Sequence, residues 1–250
     1  MSANNYLEQS LEFLNKVRAT QSDNICQAAA LCAQSIKSGG LIHVFGTGHS
    51  QMVAEEAYSR AGSLLLINAI LEPGLLLHEG GAKSSAVEKV PGLARALLVN
   101  QPLHKGETII IVSNSGRNPV PIETAMLARE QGLNVVAITS LAHSQAVSSR
   151  HESGKKLYEL ADVVIDNCGI PGDAILRREG VGAPFCATSS LTGIYIIQAL
   201  IAETVEILAD SGLEAPVLMS GNLDESAEYN AKMIEKYLER LPQLAAYLRR

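Results

Sequence analysis

The chain contains no tryptophan, and only 4% of its 250 residues are aromatic. Charged residues are also scarce: they make up 18% of the chain, against 47% for hydrophobic residues. Because disordered chains and coiled coils are rich in charged residues, this composition argues against both classes. A surface with so few charges also indicates that another subunit covers part of it.

Positive charge is in the minority, since 20 Lys and Arg stand against 26 Asp and Glu and the formal net charge is -6. The pI is near 5.6, and the sequence contains no basic block. Proteins that bind nucleic acids concentrate Lys and Arg on one surface. We therefore expect no nucleic-acid partner.

The four cysteines form no CxxC pair and have no zinc-binding spacing, which predicts free thiols at Cys26, Cys32, Cys168 and Cys186. The N-terminus lacks the basic segment and apolar run of a signal peptide. Residues 194–208 are the most apolar long stretch, but Gln198, Glu203 and Glu206 interrupt it. We expect this stretch to be too short and too polar to cross a bilayer. The sequence thus predicts a cytoplasmic protein without a membrane partner.

The spacing of the apolar residues changes along the chain, from helical spacing near the N-terminus to short continuous runs after residue 40. Apolar residues recur at helical spacing over residues 5–37, which predicts one helix or a helix pair ending at Ser38-Gly39-Gly40. Short apolar runs bounded by turn residues then predict strands at 41–45, 64–67, 108–112, 135–138 and 163–165. Helical periodicity returns at 51–60, 121–131, 188–209 and 224–240.

Strands that alternate with helices predict a parallel sheet, and continuously apolar strands suit a sheet covered on both faces. A chain of 250 residues is long enough for one large domain with a buried core. We expect one α/β domain over residues 1–250. It would have a helical N-terminal extension at 1–38, an α/β core at about 40–210 and C-terminal helices at 211–250.

Polar residues suited to a ligand follow the predicted strands. They are Gly46, Thr47, Gly48, His49 and Ser50 after the first strand, Ser113, Asn114, Ser115, Gly116, Arg117 and Asn118 after the third, Thr139 and Ser140 after the fourth, and Thr188, Ser189 and Ser190 before the late helix. Ligands of open parallel sheets bind at the carboxyl ends of the strands. Free backbone N–H groups and hydroxyls there bind a dianion, and without a lysine cluster they favour a phosphate monoester over a nucleoside triphosphate.

Other interpretations of these segments stay open. Gly46 and Gly48 lack the third glycine of GxGxxG, and no acidic residue closes a second strand about 20 residues later, so a dinucleotide is disfavoured. Glycines after a strand often serve only the turn, and the hydroxyls at 188–190 can simply cap a helix. Residues 113–118 are the more specific signal.

The segments Ser113-Asn114-Ser115-Gly116-Arg117-Asn118 and Gly46-Thr47-Gly48-His49-Ser50 resemble the sugar isomerase (SIS) domain, from about residue 40 to residue 208. The usual form of the later motif is Ser-x-Ser-Gly-x-Thr, and Asn118 takes the threonine position. LHEGGAKSS, SGKKLYELADVVIDN and GDA are most similar to stand-alone SIS proteins, and phosphoheptose isomerase is more distant. The resemblance implies a three-layer sandwich with a five-stranded parallel sheet and extra terminal helices. It also implies a homodimer or homotetramer with active sites near subunit interfaces.

Aldose–ketose isomerisation needs a base that moves a proton between C1 and C2. Glu55 and Glu56 lie one to two turns into the helix after the first glycine loop. Neighbouring helical residues point about 100° apart, so only one of the two can face the sugar. The resemblance implies that a glutamate on this helix is the base, and Glu56 fits better, although most helical glutamates are merely solvated.

The resemblance also implies that His78 opens the sugar ring and that Glu79 orients its imidazole or acts as an acid–base group itself. A histidine in a surface loop is often idle. Phosphoheptose isomerase has a zinc-ligand histidine one turn before the helix glutamate, and this chain has Met52 at the matching position. Gln198 matches a later glutamine of that enzyme, but Ala202 and Glu206 stand near the places of its following histidines. We therefore expect no metal and no cofactor, with His49 and His78 as the remaining candidate ligands.

We expect His143 and His151 to lie near Thr139 at the edge of the sheet. Lys155 or Lys156 there would neutralise a phosphate, although solvated surface is their default role. The partner that we expect is a phosphorylated sugar, or a sugar with another anionic group.

The expected function is that of a phosphosugar-binding enzyme, an aldose–ketose isomerase acting through an enediol with a Glu base. Two alternatives stay open. A lyase of the same family would cleave N-acetylmuramic acid 6-phosphate, but such enzymes carry a longer C-terminal helical part. A non-catalytic phosphosugar-binding regulator would usually carry an N-terminal DNA-binding helix-turn-helix.

Overall fold

The computed structural model describes residues 2–241. Within them the elements follow in the order α1 (Ser2–Lys37), β1 (Ile42–Gly46), α2 (Gln51–Ala57), β2 (Ile67–Ile70), α3 (Gly81–Val87), α4 (Leu93–Leu98), β3 (Thr108–Val112), α5 (Pro119–Glu130), β4 (Asn134–Thr139), α6 (Leu141–Gln145), β5 (Val163–Asp166), β6 (Ala174–Leu176), β7 (Phe185–Ala187), α7 (Ser189–Asp210) and α8 (Ser226–Tyr237).

The first five strands form a parallel sheet in the order β2-β1-β3-β4-β5. Val44 pairs with Ala69 on one side and with Ile110 on the other, which sets the register of β1 with its two neighbours, β2 and β3. Every residue of β1 and β3 is buried, because helices cover the sheet on both faces. The expected five-stranded parallel sheet is confirmed.

Successive side chains of the central strands pack into two separate hydrophobic cores, one on each face of the sheet. Val44 and Ile110 pack with α1, α2, α7 and α8 on one face. Phe45, Ile109 and Ile111 pack with α4 and α5 on the other face. Because side chains alternate across a strand, one apolar run supplies both cores. The result is the three-layer α/β sandwich that the resemblance implied.

The N-terminal region is one helix of 36 residues. It ends where Gly39 adopts a φ of 77°, a conformation that favours glycine. The N–H groups of Gly39 and Gly40 donate to the carbonyls of Ile36 and Ser35 and satisfy the last turn. The helix packs along α7 and takes part in the first core.

Several predicted boundaries are wrong. The strand predicted at 64–67 lies at Ile67–Ile70, and Leu64 instead forms an isolated antiparallel bridge with Val217. The run 64–70 is apolar almost throughout, so hydrophobicity alone does not locate the strand within it. The antiparallel hairpin β6–β7 and the short helices α3, α4 and α6 were not predicted. Residues 242–250 of the predicted C-terminal helices lie outside the described residues.

The expectation that residues 194–208 are too short to cross a bilayer also needs correction. They belong to α7, a helix of 22 residues, and an 18-residue window in it has a mean hydropathy of 1.6. By length and composition alone, this helix is apolar enough to span a membrane. In the fold it packs against α1 and α2, and its Ile196, Ile197 and Leu200 belong to the first core.

Candidate functional site

Two polar loops meet where the strand order of the sheet changes direction. The chain moves from β1 to its neighbour β2 and then crosses back to β3 on the other side of β1. Gly46 pairs with Val112, so the loop 46–50 after β1 and the loop 113–118 after β3 start side by side. Such a switch point, at the carboxyl ends of the strands, is where open α/β sheets bind ligands.

The loop 46–50 turns sharply at its first residue. A Cβ on Gly46 would lie 2.5 Å from the carbonyl oxygen of Ser50, so only glycine fits there. Gly48 has a φ of 56°, and the chain continues through the 3-10 turn Gly48–Ser50 into α2. Thr47 is buried, whereas His49 is exposed. The backbone N–H groups of Thr47, Gly48 and His49 find no acceptor among residues 2–241.

The loop 113–118 folds around Gly116, whose φ is also 56°. The hydroxyl oxygen of Ser113 accepts the N–H of Gly116 at 3.2 Å and closes the turn. The N–H groups of Ser115, Arg117 and Asn118, and the hydroxyl of Ser115, have no hydrogen-bond partner in the described part of the chain. Free N–H groups around a residue of positive φ form a concave site for an anion.

The N-terminus of α5 offers fewer free N–H groups to this site than its position implies. The helix starts Pro119-Val120-Pro121, and two of these residues have no N–H. The N–H of Val120 donates to the carbonyl of Glu88 at 3.3 Å. The donors available to an anion therefore come from the loop 113–118 itself rather than from the first turn of the helix.

Thr139 and Ser140 are brought beside this loop, and they use their hydroxyls within the protein. Thr139 donates to the carbonyl of Asn114 at 3.3 Å, and the N–H of Ser140 donates to the same carbonyl at 3.0 Å. The hydroxyl of Ser140 donates to the carbonyl of Gly169 at 2.7 Å and accepts the N–H of His143. Both residues are fully buried, and they hold the loop in place.

A carboxylate of the chain occupies the start of α7. Asp173 accepts the N–H groups of Thr188 and Ser189 at 3.1 and 2.8 Å, and its other oxygen accepts the hydroxyl of Ser189 at 2.5 Å. The first turn of α7 thus already has an anion beside it. Ser190 is half-buried and lies next along the same turn.

The neighbouring carboxylates Glu55 and Glu56 have different surroundings, as their helical positions predict. Glu55 is exposed and accepts the side-chain amide of Gln51 at 2.6 Å. Glu56 is 24% exposed, and its Oε1 accepts the side-chain amide of Gln198 on α7 at 2.9 Å and the guanidinium of Arg60. Its Oε2 makes no hydrogen bond within residues 2–241.

His78 and Glu79 lie on the exposed segment before α3. Glu79 pairs with Lys83 one turn further on, and both side chains are about half exposed. His78 makes no hydrogen bond among the residues that the structure describes. Within one chain, therefore, no hydrogen bond joins either residue to Glu56 or to the two loops.

A third carboxylate, which the sequence reasoning missed, lies at the switch point itself. Glu88 accepts the hydroxyl of Thr47 at 2.8 Å through Oε2, while its backbone carbonyl accepts the N–H of Val120 after the second loop. Glu88 thus touches the segments that follow both β1 and β3. It is carried by the crossover between β2 and β3, and no motif in the sequence marks it.

His143 on α6 is a further polar group beside the loop 113–118. Burial lowers the pKa of His143, the positive charge of Arg117 lowers it further, and the carboxylate of Asp173 opposes both effects. Its buried Nδ1 has no hydrogen-bond partner in the described residues. These surroundings therefore favour the neutral form of the imidazole.

Ligands elsewhere in the molecule would need either a cluster of metal-binding side chains or a cavity. Among residues 2–241, no group of three or more His, Cys, Asp or Glu side chains is arranged to hold a metal ion. A cavity of about 330 Å³ lies between β2 and α8, lined by Tyr58, Arg60, Leu65 and Ile234 among others. None of its lining residues belongs to either loop, so it is separate from the switch point.

Residues 5–140 match the SIS domain. The UPF0309 protein lin2794 of Listeria innocua is 40% identical to the chain over 245 residues, which make up 98% of this chain and 99% of that protein.

Solved structures share the fold at low identity. A phosphoheptose isomerase from Francisella tularensis superposes with a TM-score of 0.55 and 15% identity, over 82% of this chain and 97% of that one. The E. coli protein c3406, solved in complex with a phosphosugar, superposes with a TM-score of 0.50 and 12% identity, over 83% of this chain and 89% of that one. At such identities, the likeness concerns the fold.

Proposed function

Because the chain belongs to the SIS domain family, we propose that it is a phosphosugar isomerase that interconverts an aldose and a ketose through an enediol. Family membership supports a phosphosugar-related function. Two proteins with the same fold, one named a phosphoheptose isomerase and one solved with a bound phosphosugar, support a phosphosugar as the ligand. Since fold alone does not decide activity, the proposal depends on the site.

The observation that carries the proposal is the arrangement of donors and carboxylates at one edge of the sheet. N–H groups of the loops 46–50 and 113–118 that have no partner within residues 2–241 lie side by side where β1 and β3 end. Helix α2 leads directly from the first loop to Glu56. A sugar whose phosphate sits on the loops would therefore extend towards a carboxylate.

The phosphate would be bound by neutral donors. The N–H groups of Ser115, Arg117 and Asn118 and the hydroxyl of Ser115 would point at its oxygens, with Gly116 allowing close approach. Such donors favour a dianion, because several partial positive charges converge on it without the desolvation of a counter-ion.

Glu56 would act as the base. Gln198 and Arg60 both bind its Oε1, which fixes the carboxylate and leaves Oε2 free to take a proton. In the isomerisation, Oε2 would remove the proton from C2 of the aldose to form the enediol and return it to C1 of the ketose. A base held in place in this way needs little reorganisation when the proton moves.

A second carboxylate would transfer the protons on the sugar oxygens O1 and O2. As the carbon proton moves, O1 must gain a proton and O2 must lose one. Glu88 lies between the two loops with Oε1 unpartnered in the part of the chain that the structure describes, so we assign it this transfer. In an elimination the same carboxylate would instead protonate the departing oxygen, which keeps the lyase as the second candidate function.

The subunits of a homodimer or homotetramer would meet through apolar helix faces. Leu7 and Leu11 on α1 are 60% and 58% exposed, and Leu191 and Tyr195 on α7 are each 38% exposed. Contiguous exposed apolar residues of this kind mark protein interfaces. A second copy could also bring its His78 to this site.

Proton NMR in heavy water tests the proposal. The protein would be incubated with hexose, pentose, heptose and amino-sugar phosphates, and deuterium should enter C1 or C2 as the ketose forms. We expect Glu56→Gln to slow this exchange by roughly 10²–10⁴-fold, the usual contribution of a general base. Glu55→Gln is the matched control, since Glu55 is exposed on the same helix, and its exchange rate should stay within about twofold of wild type.

Other outcomes separate the alternatives. Exchange with release of a sugar substituent, rather than ketose formation, would establish the lyase. Line broadening on binding without any exchange would favour a regulator. If exchange persists unchanged in Glu56→Gln, Glu56 is not the base.

A further inference from the structure

The segment after β4 returns to wrap the outer side of the loop 113–118. The N–H of Arg150 donates to the carbonyl of Arg117 at 2.8 Å, and the N–H of Leu157 donates to the carbonyl of Gly116 at 2.9 Å. The guanidinium of Arg150 also donates to Oδ1 of Asn118 at 2.9 Å. These contacts bring cations that lie more than thirty residues away in sequence next to the anion-binding loop.

Among residues 2–241, the side chains of two of these cations and of Arg117 in the loop itself hydrogen-bond only to neutral groups. Arg117 donates to the hydroxyl of Ser148 at 3.3 Å, Arg150 to the amide oxygen of Asn118, and Lys156 to the carbonyl of Ser144 at 2.5 Å. Within residues 2–241, no carboxylate oxygen lies within 4.0 Å of the charged side-chain nitrogens of these three residues. The nearby carboxylate of Glu159 instead accepts the backbone N–H of Lys156 at 2.7 Å. By contrast, ion pairs in the same chain hold Arg60, Lys83, Arg129, Lys236 and Arg240.

Buried polar atoms at the same place also lack partners. Nε of Arg117 and the hydroxyl of Ser144 are both buried without a hydrogen bond in the described part of the chain. Ser144 has no exposed area, and its hydroxyl lies 3.4 Å from where a Cβ on Gly116 would be. Because a buried donor without an acceptor costs free energy, an anion that reaches Nε of Arg117 would offset part of that cost.

From the juxtaposition of Arg117, Arg150 and Lys156 with the loop 113–118, we infer a second anion subsite. It takes a phosphate or carboxylate group in addition to the phosphate on the backbone N–H groups of the loop. The inference rests on the proposed function, which places that first phosphate. Neutral donors suffice for the first group, whereas guanidinium and ammonium groups suit a second anion near an acidic protein.

Isothermal titration calorimetry tests the subsite with ligands that carry one or two anionic groups. Fructose 6-phosphate has one, while fructose 1,6-bisphosphate and 6-phosphogluconate have two. We expect the two-anion ligands to bind at least about tenfold more tightly, the usual gain from one charge-assisted hydrogen bond. A further titration adds inorganic phosphate to protein saturated with fructose 6-phosphate, which shows whether a free anion fills the subsite.

Two variants assign the effect to the cations. Arg150→Gln and Lys156→Gln should each weaken the two-anion ligands about tenfold more than they weaken fructose 6-phosphate. Arg150→Lys keeps the positive charge and should retain part of the extra affinity for two-anion ligands. Lys37→Gln is the matched control, because Lys37 is exposed at the end of α1, at the opposite edge of the sheet. It should bind all ligands as wild type does.

Two results would overturn the inference. One is that two-anion ligands bind no better than fructose 6-phosphate and no second phosphate binds. The other is that both variants weaken fructose 6-phosphate binding as much as they weaken the two-anion ligands, which would assign the cations to the first phosphate. Calorimetry needs no turnover, so tight two-anion binding without deuterium exchange would reject the isomerase and keep the subsite.

Discussion

Glycine at position 46 illustrates how a single residue shapes this site. The loop after β1 folds back so tightly that the carbonyl of Ser50 occupies the place of a side chain. This close approach aims the next N–H groups at the switch point instead of into a regular turn. Gly116 does the same in the second loop, where Leu157 and Ser144 close the space around it.

The variant Gly46→Ala should therefore distort the loop 46–50, which carries part of the candidate site. Its methyl group would lie 2.5 Å from backbone atoms that cannot rotate away, so the loop has to shift. We expect a loss of about 1–3 kcal/mol in the free energy of unfolding, measured in urea, together with loss of sugar-phosphate binding. Gly182→Ala is the control, since nothing lies within 4 Å of its Cβ position, and wild-type behaviour of Gly46→Ala would contradict this account.

At the residue scale, the sequence predicts the polar loops better than their partners. The segments 46–50 and 113–118 stand out because each follows an apolar strand and is rich in glycine, hydroxyls and amides. Glu88 does not stand out, because it reaches Thr47 only through the crossover between β2 and β3. Lys156 and Arg150 likewise reach the loop 113–118 through a fold-back that no local pattern encodes.

Among the elements, the hairpin β6–β7 depends on one side chain at its base. Asp173 precedes β6, and its carboxylate binds Thr188 and Ser189 immediately after β7. The same carboxylate caps α7, and Asp173 has a φ of 69°, which is unusual for a residue with a side chain. The hairpin base and the start of α7 thus form one unit.

Replacing Asp173 should loosen both elements together. Asp173→Ala removes the acceptor of two backbone N–H groups at the start of α7, and we expect a loss of about 1–2 kcal/mol. Amide hydrogen exchange should become faster at Thr188 and Ser189. Asp224→Ala, in an exposed turn, is the control, and equal exchange rates in both variants would refute a capping role.

Element boundaries were predictable only where the pattern changes sharply. The strand β3 lies where it was predicted, because Gly106 and Glu107 precede its apolar run and Ser113 follows it. For β2 the apolar run is longer than the strand, and the antiparallel bridge between Leu64 and Val217 takes its first part. That bridge involves residues far apart in sequence, so local periodicity carries no signal for it.

On the scale of the whole molecule, the two edges of the sheet have opposite characters. The carboxyl edge holds N–H groups without a partner in the described part of the chain, whereas the amino edge holds a buried carboxylate with several hydrogen-bond donors. Glu107 accepts the ring Nε2 of His43 at 2.8 Å, the N–H of His104 at 2.7 Å and the N–H of Leu41 at 2.9 Å. It also accepts the guanidinium of Arg240, which joins the C-terminal region to the sheet.

Stability should therefore depend on the ionisation of Glu107. Burial raises the pKa of its carboxyl, but the hydrogen bonds from His43, His104 and Leu41 outweigh burial and hold the pKa below its ordinary value of 4.5. The unfolded chain thus binds this proton at a higher pH than the folded chain does. The stabilisation is complete above pH 4.5 and is lost as the pH falls through the pKa of the folded state.

Glu107→Gln should remove this stabilisation at neutral pH. The variant presents an amide N–H₂ to groups that are themselves donors, so we expect a loss of about 3–5 kcal/mol in urea unfolding at pH 7. Its stability should also fall less steeply than that of wild type on acidification below pH 4.5. Glu8→Gln, exposed on α1, is the control, and parallel pH curves for wild type and Glu107→Gln would reject the role of this carboxylate.

Helix α1 is bonded to both edges of the sheet. The amide oxygen of Gln21 accepts the N–H of Asp166 at the carboxyl edge, and Ser35 shares a hydrogen bond of 2.9 Å with Thr108 at the amino edge. Since one continuous helix is bonded to both β5 and β3, we expect it to oppose hinging between these two strands. If the protein closes over a ligand, we therefore expect the movement in the connecting segments, such as the exposed stretch that carries His78 and Glu79.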